Sequence, residues 1–234
     1  MSEWAMKRFW KEASFEERPD GFEVLLDGRL VKTPAKRRLI VPTEAMAFHI
    51  AREWDAQDEV VDPRMMPWTR SANAALDKVA AQRLEVCEHL AGYAVTDLVC
   101  YRADGPDALV QRQSEAWDPV LEWIATKFGS RLNVTSGVMP VSQAKTDVDR
   151  LAATMRSLTV FQLTGFYDLV TLSGSFVLAL SATESLHTPE ELWSFSRIDE
   201  DWQIEQWGAD EEAAEHAKTK KTAFSHAIDF FKAA

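Results

Sequence analysis

The pattern of apolar and polar residues is strand-like at the start of the chain and helical after Thr69. Phe22 to Leu26 and Arg29 to Thr33 flank Asp27-Gly28, a pair suited to a two-residue hairpin turn. Arg8-Phe9-Trp10 and Arg38 to Val41 are further short candidate strands. Pro42-Thr43 opens a helix through Gln57, with Met46, Ile50 and Trp54 on one face. Residues 1–68 are therefore expected to form a small β-rich N-terminal domain with one helix across it. The spacing then predicts helices over Thr69–Asp77, Ala80–Tyr93, Pro106–Phe128, Ser142–Ser157, Val160–Ala182, Pro189–Gln206 and Asp210–Lys232. Short strands are expected within Leu98–Arg102 and Arg131–Val138. Residues 69–234 would make a larger, mostly α-helical C-terminal domain, and the fold class is α+β.

Two helical stretches are unusual in their apolar pattern. Val160–Ala182 carries one charge, Asp168, which leaves a clean apolar run of 14 residues. A membrane span needs about 20, so this is a buried core helix, with Gly165 and Gly174 permitting close helix approach. Thr188 to Gly208 reads as one helix of about five turns. Thr188, Pro189 and Glu191 form its capped start and Gly208 its stop. Leu192, Phe195, Ile198 and Trp202 fall on one arc; Trp193, Ile204 and Trp207 fall on another. A helix apolar on two sides is expected to be central. Asp199 lies inside the first arc and Glu200 inside the second, and a carboxylate among large apolar side chains needs a partner. Arg197 reaches Glu200 or Asp201 at helical spacing. Either these acids sit at a rim, satisfied by basic partners, or they belong to a surface that meets another molecule.

Composition narrows the partner. The net charge is -11 and the pI near 5.0. Phosphate neutralisation needs clustered Lys and Arg, so nucleic acid and anionic membrane are excluded as expected partners. A basic protein surface suits the chain better. Cys87 and Cys100 are in no Cys-x-x-Cys pair and read as reduced core residues. Met1-Ser2-Glu3-Trp4 carries neither a signal peptide nor a transit-peptide pattern. The expectation is a bacterial-type cytoplasmic protein, or a mature form already trimmed.

Catalytic motifs are sparse in this chain. The histidines, His49, His89, His187, His216 and His226, are scattered and form no His-Glu-x-x-His motif. No phosphate-binding glycine loop is present, and Leu172-Ser173-Gly174-Ser175 lacks the Gly-x-Ser-x-Gly spacing. Cys87 lies mid-helix and reads as core beside its notional bases His89 and His49. Asp199, Glu200 and Glu205 are the acids available to a hydrolase, but adjacent helical residues point about 100° apart and cannot flank one bond. Neither a metal nor a cofactor is expected. The remaining oddity is tryptophan, with nine residues: 4, 10, 54, 68, 117, 123, 193, 202 and 207. Most are expected in the core, and some at an interface.

Ordered motifs nearly end to end resemble one family. They are Arg8-Phe9-Trp10-Lys11, Leu26-Asp27-Gly28-Arg29, Val31-Lys32-Thr33-Pro34 and Val41-Pro42-Thr43. Glu53-Trp54-Asp55-Ala56-Gln57, Met66-Pro67 with Thr69-Arg70 and Asn73, Thr96-Asp97-Leu98 and Cys100-Tyr101-Arg102 follow. Trp117-Asp118-Pro119, Ser196-Arg197-Ile198-Asp199-Glu200 and Trp207-Gly208 complete the set. Together they are similar to the assembly chaperones of the ATP synthase α subunit. That resemblance implies a non-enzymatic chaperone that holds unassembled α subunit until the β subunit replaces it, without ATP hydrolysis. It implies a bacterial cytoplasmic setting here and the mitochondrial matrix for eukaryotic relatives. It maps the family's important acid to Asp199 or Glu200, and makes Asp199, Glu200, Asp201 and Trp202 the candidate partner-binding residues. Trp68 departs from the smaller aliphatic residue of the family pattern. An adaptor for a different client and a carboxylate-dependent hydrolase are the competing classes, and the oligomeric state is open.

Overall fold

The computed structural model describes residues 7–234, so Trp4 lies outside the described residues. The chain is α+β and groups into two compact units. One holds the residues up to Arg83 together with Thr159–Gly165 and Asp229–Ala234. The other holds Leu84–Leu158 and Phe166–Ile228.

In the first unit a four-stranded sheet is built around β2, Gly21–Leu26. It pairs antiparallel with β1 (Ala13–Arg18), β3 (Arg29–Leu30) and β4 (Ile40–Val41). The Asp27-Gly28 turn forms as its chemistry demands, both residues having positive φ, 46° and 74°. Arg8-Phe9-Trp10 is not a strand; only the neighbouring Lys7 makes an isolated bridge, to Val60. β1 is instead the strand that periodicity misses, because Ala-Ser-Phe-Glu-Glu-Arg does not alternate cleanly and its last three residues are exposed. Val24 and Leu26 face the core, and Glu23, 3% exposed, is compensated by Arg18 at 3.0 Å and Arg38 at 2.5 Å.

Helix α1, Glu44–Asp55, buries Met46, Ala47, Ile50, Ala51 and Trp54 against that sheet. Its cap Thr43 accepts from the Met46 amide and donates to the Ala233 carbonyl at 2.6 Å. Phe230, fully buried, joins the same core as Trp10, Val24 and Ile50. α2, Pro67–Ala74, has no side-chain cap of its own. Glu53 supplies one from α1, accepting from the Trp68 amide at 2.6 Å and from Thr69 amide and hydroxyl at 2.8 and 2.7 Å. Burial nonetheless raises the Glu53 pKa above its ordinary value. The departure at Trp68 has a local partner: its ring stacks on His49 at 4.1 Å, 5° from parallel. Gly21 tests the tightness of this unit. At φ +135° an added Cβ would lie 2.5 Å from the Val41 carbonyl oxygen. Gly21→Ala should cost about 2 kcal/mol in urea denaturation, from backbone strain plus overpacking; an unchanged midpoint would refute that clash.

The second unit is helical, and two of its helices also supply most of the Thr159–Gly165 and Asp229–Ala234 segments of the first. α3 (Arg83–Val95) leads through a 3-10 turn, Leu98–Cys100, to β5 (Tyr101–Arg102). α4 (Asp107–Phe128) follows, then β6 (Thr135–Ser136), which pairs parallel with β5. α5 is Lys145–Ala153, α6 Val160–Ser173 and α7 Phe176–Thr183. α8 is Pro189–Phe195, α9 Ile198–Trp207 and α10 Glu211–Ala233. The central helix is α4, packed on α7, α8 and α9, with Trp117, Val120 and Ile124 fully buried.

Two expected helices are broken. Val160–Ala182 splits at Gly174, whose φ of +71° ends α6; a Cβ there meets nothing within 4 Å, so Gly174 is a stop and not a site of close approach. Ser175 then caps α7, accepting from the Leu178 amide at 3.0 Å. The capping box of Thr188 and Glu191 forms as expected, but its helix ends after two turns. Arg197, at φ -122° and ψ 12°, separates α8 from α9. Among the described residues no helix is long and apolar enough to cross a membrane.

Candidate functional site

The break at Arg197 decides what the acids of this region do. A continuous helix would carry Asp199, Glu200 and Asp201 in its interior. The break puts all three in the first turn of α9 instead, where the free amides and the helix dipole favour negative charge. The break is held from α4: the Trp117 indole N–H donates to the Phe195 carbonyl, freed at the end of α8, at 2.9 Å. The same reorientation divides the second apolar arc, Trp193 staying buried while Ile204 and Trp207 do not. Leu192, Trp193 and Ile198 are buried, but Ile204 is 38% and Trp207 79% exposed. So α9 is an edge helix and not a central one.

Each acid has a different neighbour. Asp199 is half-buried and accepts from Gln113 Nε2 at 2.5 Å. Gln113, itself buried, is held in turn by the Ala103 amide, which donates to its Oε1 at 2.8 Å. Arg102 donates to the Gln113 carbonyl at 2.8 Å, pairs with Asp118 at 2.7 Å and lies over the Trp117 ring at 4.9 Å. Burial lowers the Arg102 pKa, and the Asp118 charge opposes that. Asp199 is thus the end of a buried polar chain running back into α4. Glu200 is exposed and 4.0 Å from Arg197; Asp201 is 3.5 Å from Arg197. Trp202 is half-buried beneath the Arg112 guanidinium, 5.2 Å from the ring centre. Arg112 also grips Glu205 through two hydrogen bonds of 2.7 and 3.0 Å, which hold Glu205 below the usual carboxylate range.

The four candidate residues therefore share one turn of α9 but not one surface. Asp199 and Trp202 line a cleft of about 700 Å³ with the β5–α4 loop and the residues after β6. Glu200 lines a separate groove of about 440 Å³ with Arg197, His216 and Lys220. Trp207 borders both. Sequence reasoning named Asp199 and Trp202 but not Asp104 or Val138, which the cleft gathers from loops far away in the chain.

The alternative chemistries find no assembly here. Cys87 is half-buried on α3, and His89 packs on Tyr93 and Tyr167. Burial pushes the Cys100 thiol up to about 12, so it stays protonated. Among the described residues no three His, Cys, Asp or Glu side chains converge as a metal site.

Comparison with known proteins agrees with this architecture. The family model for the ATP12 chaperone protein matches residues 7–125. The mitochondrial protein atp12 of Schizosaccharomyces pombe is 25% identical over 223 residues, covering 90% of this chain and 77% of that protein. The crystal structure of Atp12 from Paracoccus denitrificans superposes with a TM-score of 0.94 at 44% identity, covering 98% of this chain and 99% of that one. An aspartate-to-lysine variant of Atp12p from P. denitrificans gives the same TM-score and identity over 99% of each chain. A family match over half the chain, joined to likeness of fold and sequence along nearly all of it, shows that this chain belongs to the ATP12 chaperone family.

Proposed function

We propose that this protein holds the unassembled α subunit of the ATP synthase catalytic head, covering its assembly surface until the β subunit takes its place, with no ATP hydrolysed. The observation that carries the reading is α9 itself. It presents an indole 79% exposed beside half-buried and exposed carboxylates. Tryptophan carries a large apolar surface and is enriched at the centre of interfaces. An unpartnered subunit interface aggregates, and binding it suppresses that by mass action alone. The carboxylates contribute orientation and choice of partner more than raw affinity, by pairing with client Arg or Lys.

The test is light scattering of purified α subunit with and without this protein, read beside a sizing column. Wild type should suppress aggregation and form a complex. Asp199→Asn keeps an oxygen for Gln113 and removes the charge; it should weaken the complex by about tenfold, a step of 1.4 kcal/mol. Asp199→Lys should weaken it further, with the circular dichroism spectrum of both variants unchanged. Equal aggregation with and without wild type would end the proposal; melting of both variants would make Asp199 a structural residue. Capture of a different protein from lysate would favour the adaptor reading.

A further inference from the structure

The two grooves beside α9 differ in the charge they offer. The Glu200 groove includes Arg197, 4.0 Å from Glu200, and Lys220, so it already contains two cations of this chain beside its acids. The Asp199 cleft includes three charged residues, Arg102, Asp104 and Asp199. Arg102 is only 6% exposed and is occupied by Asp118 and the Gln113 carbonyl. What the cleft offers a visitor is therefore two carboxylates and an apolar wall. The wall is Leu109, Trp202, Trp207 and Val138, the last 93% exposed.

The Asp104 carboxylate lies close against the backbone of Gly137. Gly137, at φ +75°, donates its amide to the Arg102 carbonyl at 2.8 Å. A Cβ on Gly137 would lie 2.7 and 2.9 Å from the two Asp104 oxygens. Only glycine lets that carboxylate lie where it does. The same surface already contains a worked pairing of cation, acid and indole. Arg112 lies over Trp202 and is gripped by Glu205. Trp207 has no such cation over it among the described residues, although a similar acid-and-indole setting surrounds it.

We propose that the cleft between α9 and the loops after β5 and β6 seats an arginine of the client, flanked by apolar side chains. Its guanidinium lies on the Trp207 ring and is answered by Asp104 and Asp199. Arginine fits better than lysine because a planar guanidinium stacks on indole and forms paired hydrogen bonds with carboxylate at the same time. Apolar flanks fit because Val138 and Trp207 otherwise remain in water. Phosphate-bearing ligands are excluded by the two carboxylates. The inference rests on the client-holding reading above and adds which groove is used and what enters it.

The experiment measures the affinity for purified α subunit of wild type, Trp207→Ala, Asp104→Asn and Gly137→Ala. Leu84→Ala, at an apolar residue 80% exposed on α3, is the control. Trp207→Ala should weaken binding by about tenfold or more, as loss of a central indole does. Asp104→Asn should weaken it about threefold to tenfold and flatten its dependence on salt. Gly137→Ala should resemble Asp104→Asn, and Leu84→Ala should resemble wild type. On an array of overlapping α-subunit peptides, those retained by wild type and lost with Trp207→Ala should contain arginine, and citrulline in its place should abolish retention. If wild type binds α subunit and both Trp207→Ala and Asp104→Asn bind it equally well, the cleft assignment is overturned while the client reading stands. If wild type does not bind α subunit, the client reading falls and takes the cleft with it. Should wild type dimerise and Trp207→Ala become monomeric without any effect on α subunit, the cleft is a contact between copies of this chain.

Discussion

Asp97→Ala should lower the free energy of unfolding by about 3–5 kcal/mol at pH 7, the scale set by several buried donors losing one acceptor. Asp97 is completely buried. Its carboxylate accepts from the Ser175 hydroxyl at 2.5 Å, the Val177 amide at 3.0 Å and the Val99 amide at 3.2 Å. Those bonds join the 3-10 turn after α3 to the start of α7, across 80 residues of sequence. Burial drives the Asp97 pKa from its ordinary 3.8 to about 6, and the hydrogen bonds only partly oppose this. A raised carboxyl pKa means that the fold favours the protonated form. The corresponding stability is fully present below pH 3.8 and is lost as pH rises through about 6. A shift of that size is worth about 3 kcal/mol. Asp97→Asn removes the titration and keeps one acceptor. The stability of wild type minus that of Asp97→Asn, measured in urea, should therefore fall by about 2 kcal/mol between pH 4 and pH 7. A difference that is flat with pH would show that burial does not perturb this group.

Trp117→Ala should cost a further about 3–5 kcal/mol, the range for deleting a fully buried aromatic side chain. Its second effect is local. Without the indole N–H, the Phe195 carbonyl loses its donor and the break between α8 and α9 loses its anchor. Arg102 also loses the ring beneath it. Amide exchange at Ile198 to Trp202 should accelerate more than exchange in α1, which has its own core. Trp117→Phe keeps most of the volume and drops only the hydrogen bond, so it should cost less while still loosening α9. Equal protection of α9 in both variants and wild type would mean that the break is held by something other than α4.

Local chemistry in this chain was readable from sequence wherever a feature is complete within a few residues. The Asp27-Gly28 turn and the box of Thr188 with Glu191 are of that kind. So is Gly208 closing α9 at φ +91°. The features that escaped are those completed from elsewhere. Nothing near Pro67 announces that Glu53 will cap α2 from the preceding helix. Periodicity runs straight through Ser196-Arg197, because the break is fixed by an indole 78 residues away. The candidate site divides on the same line. Acid and tryptophan on α9 are visible as composition, whereas the partner of Asp199 is Gln113, 86 residues earlier and on another helix. Asp104 and Gly137 meet only because β5 and β6 pair. An exposed Trp207 could not be foreseen either, since helical arcs say which residues share a face and not whether that face is covered.

The first unit takes Phe230 into its core and ties Thr43 to Ala233. Its strands and the helices α1 and α2 are finished by Arg83, yet its packing also depends on residues 229–234, which leave the ribosome roughly 150 positions later. At ordinary elongation rates that is a wait of roughly ten to thirty seconds. During translation the nascent sheet would expose apolar residues that Phe230 later packs against, so this part of the chain stays open to aggregation until the end of α10 is made.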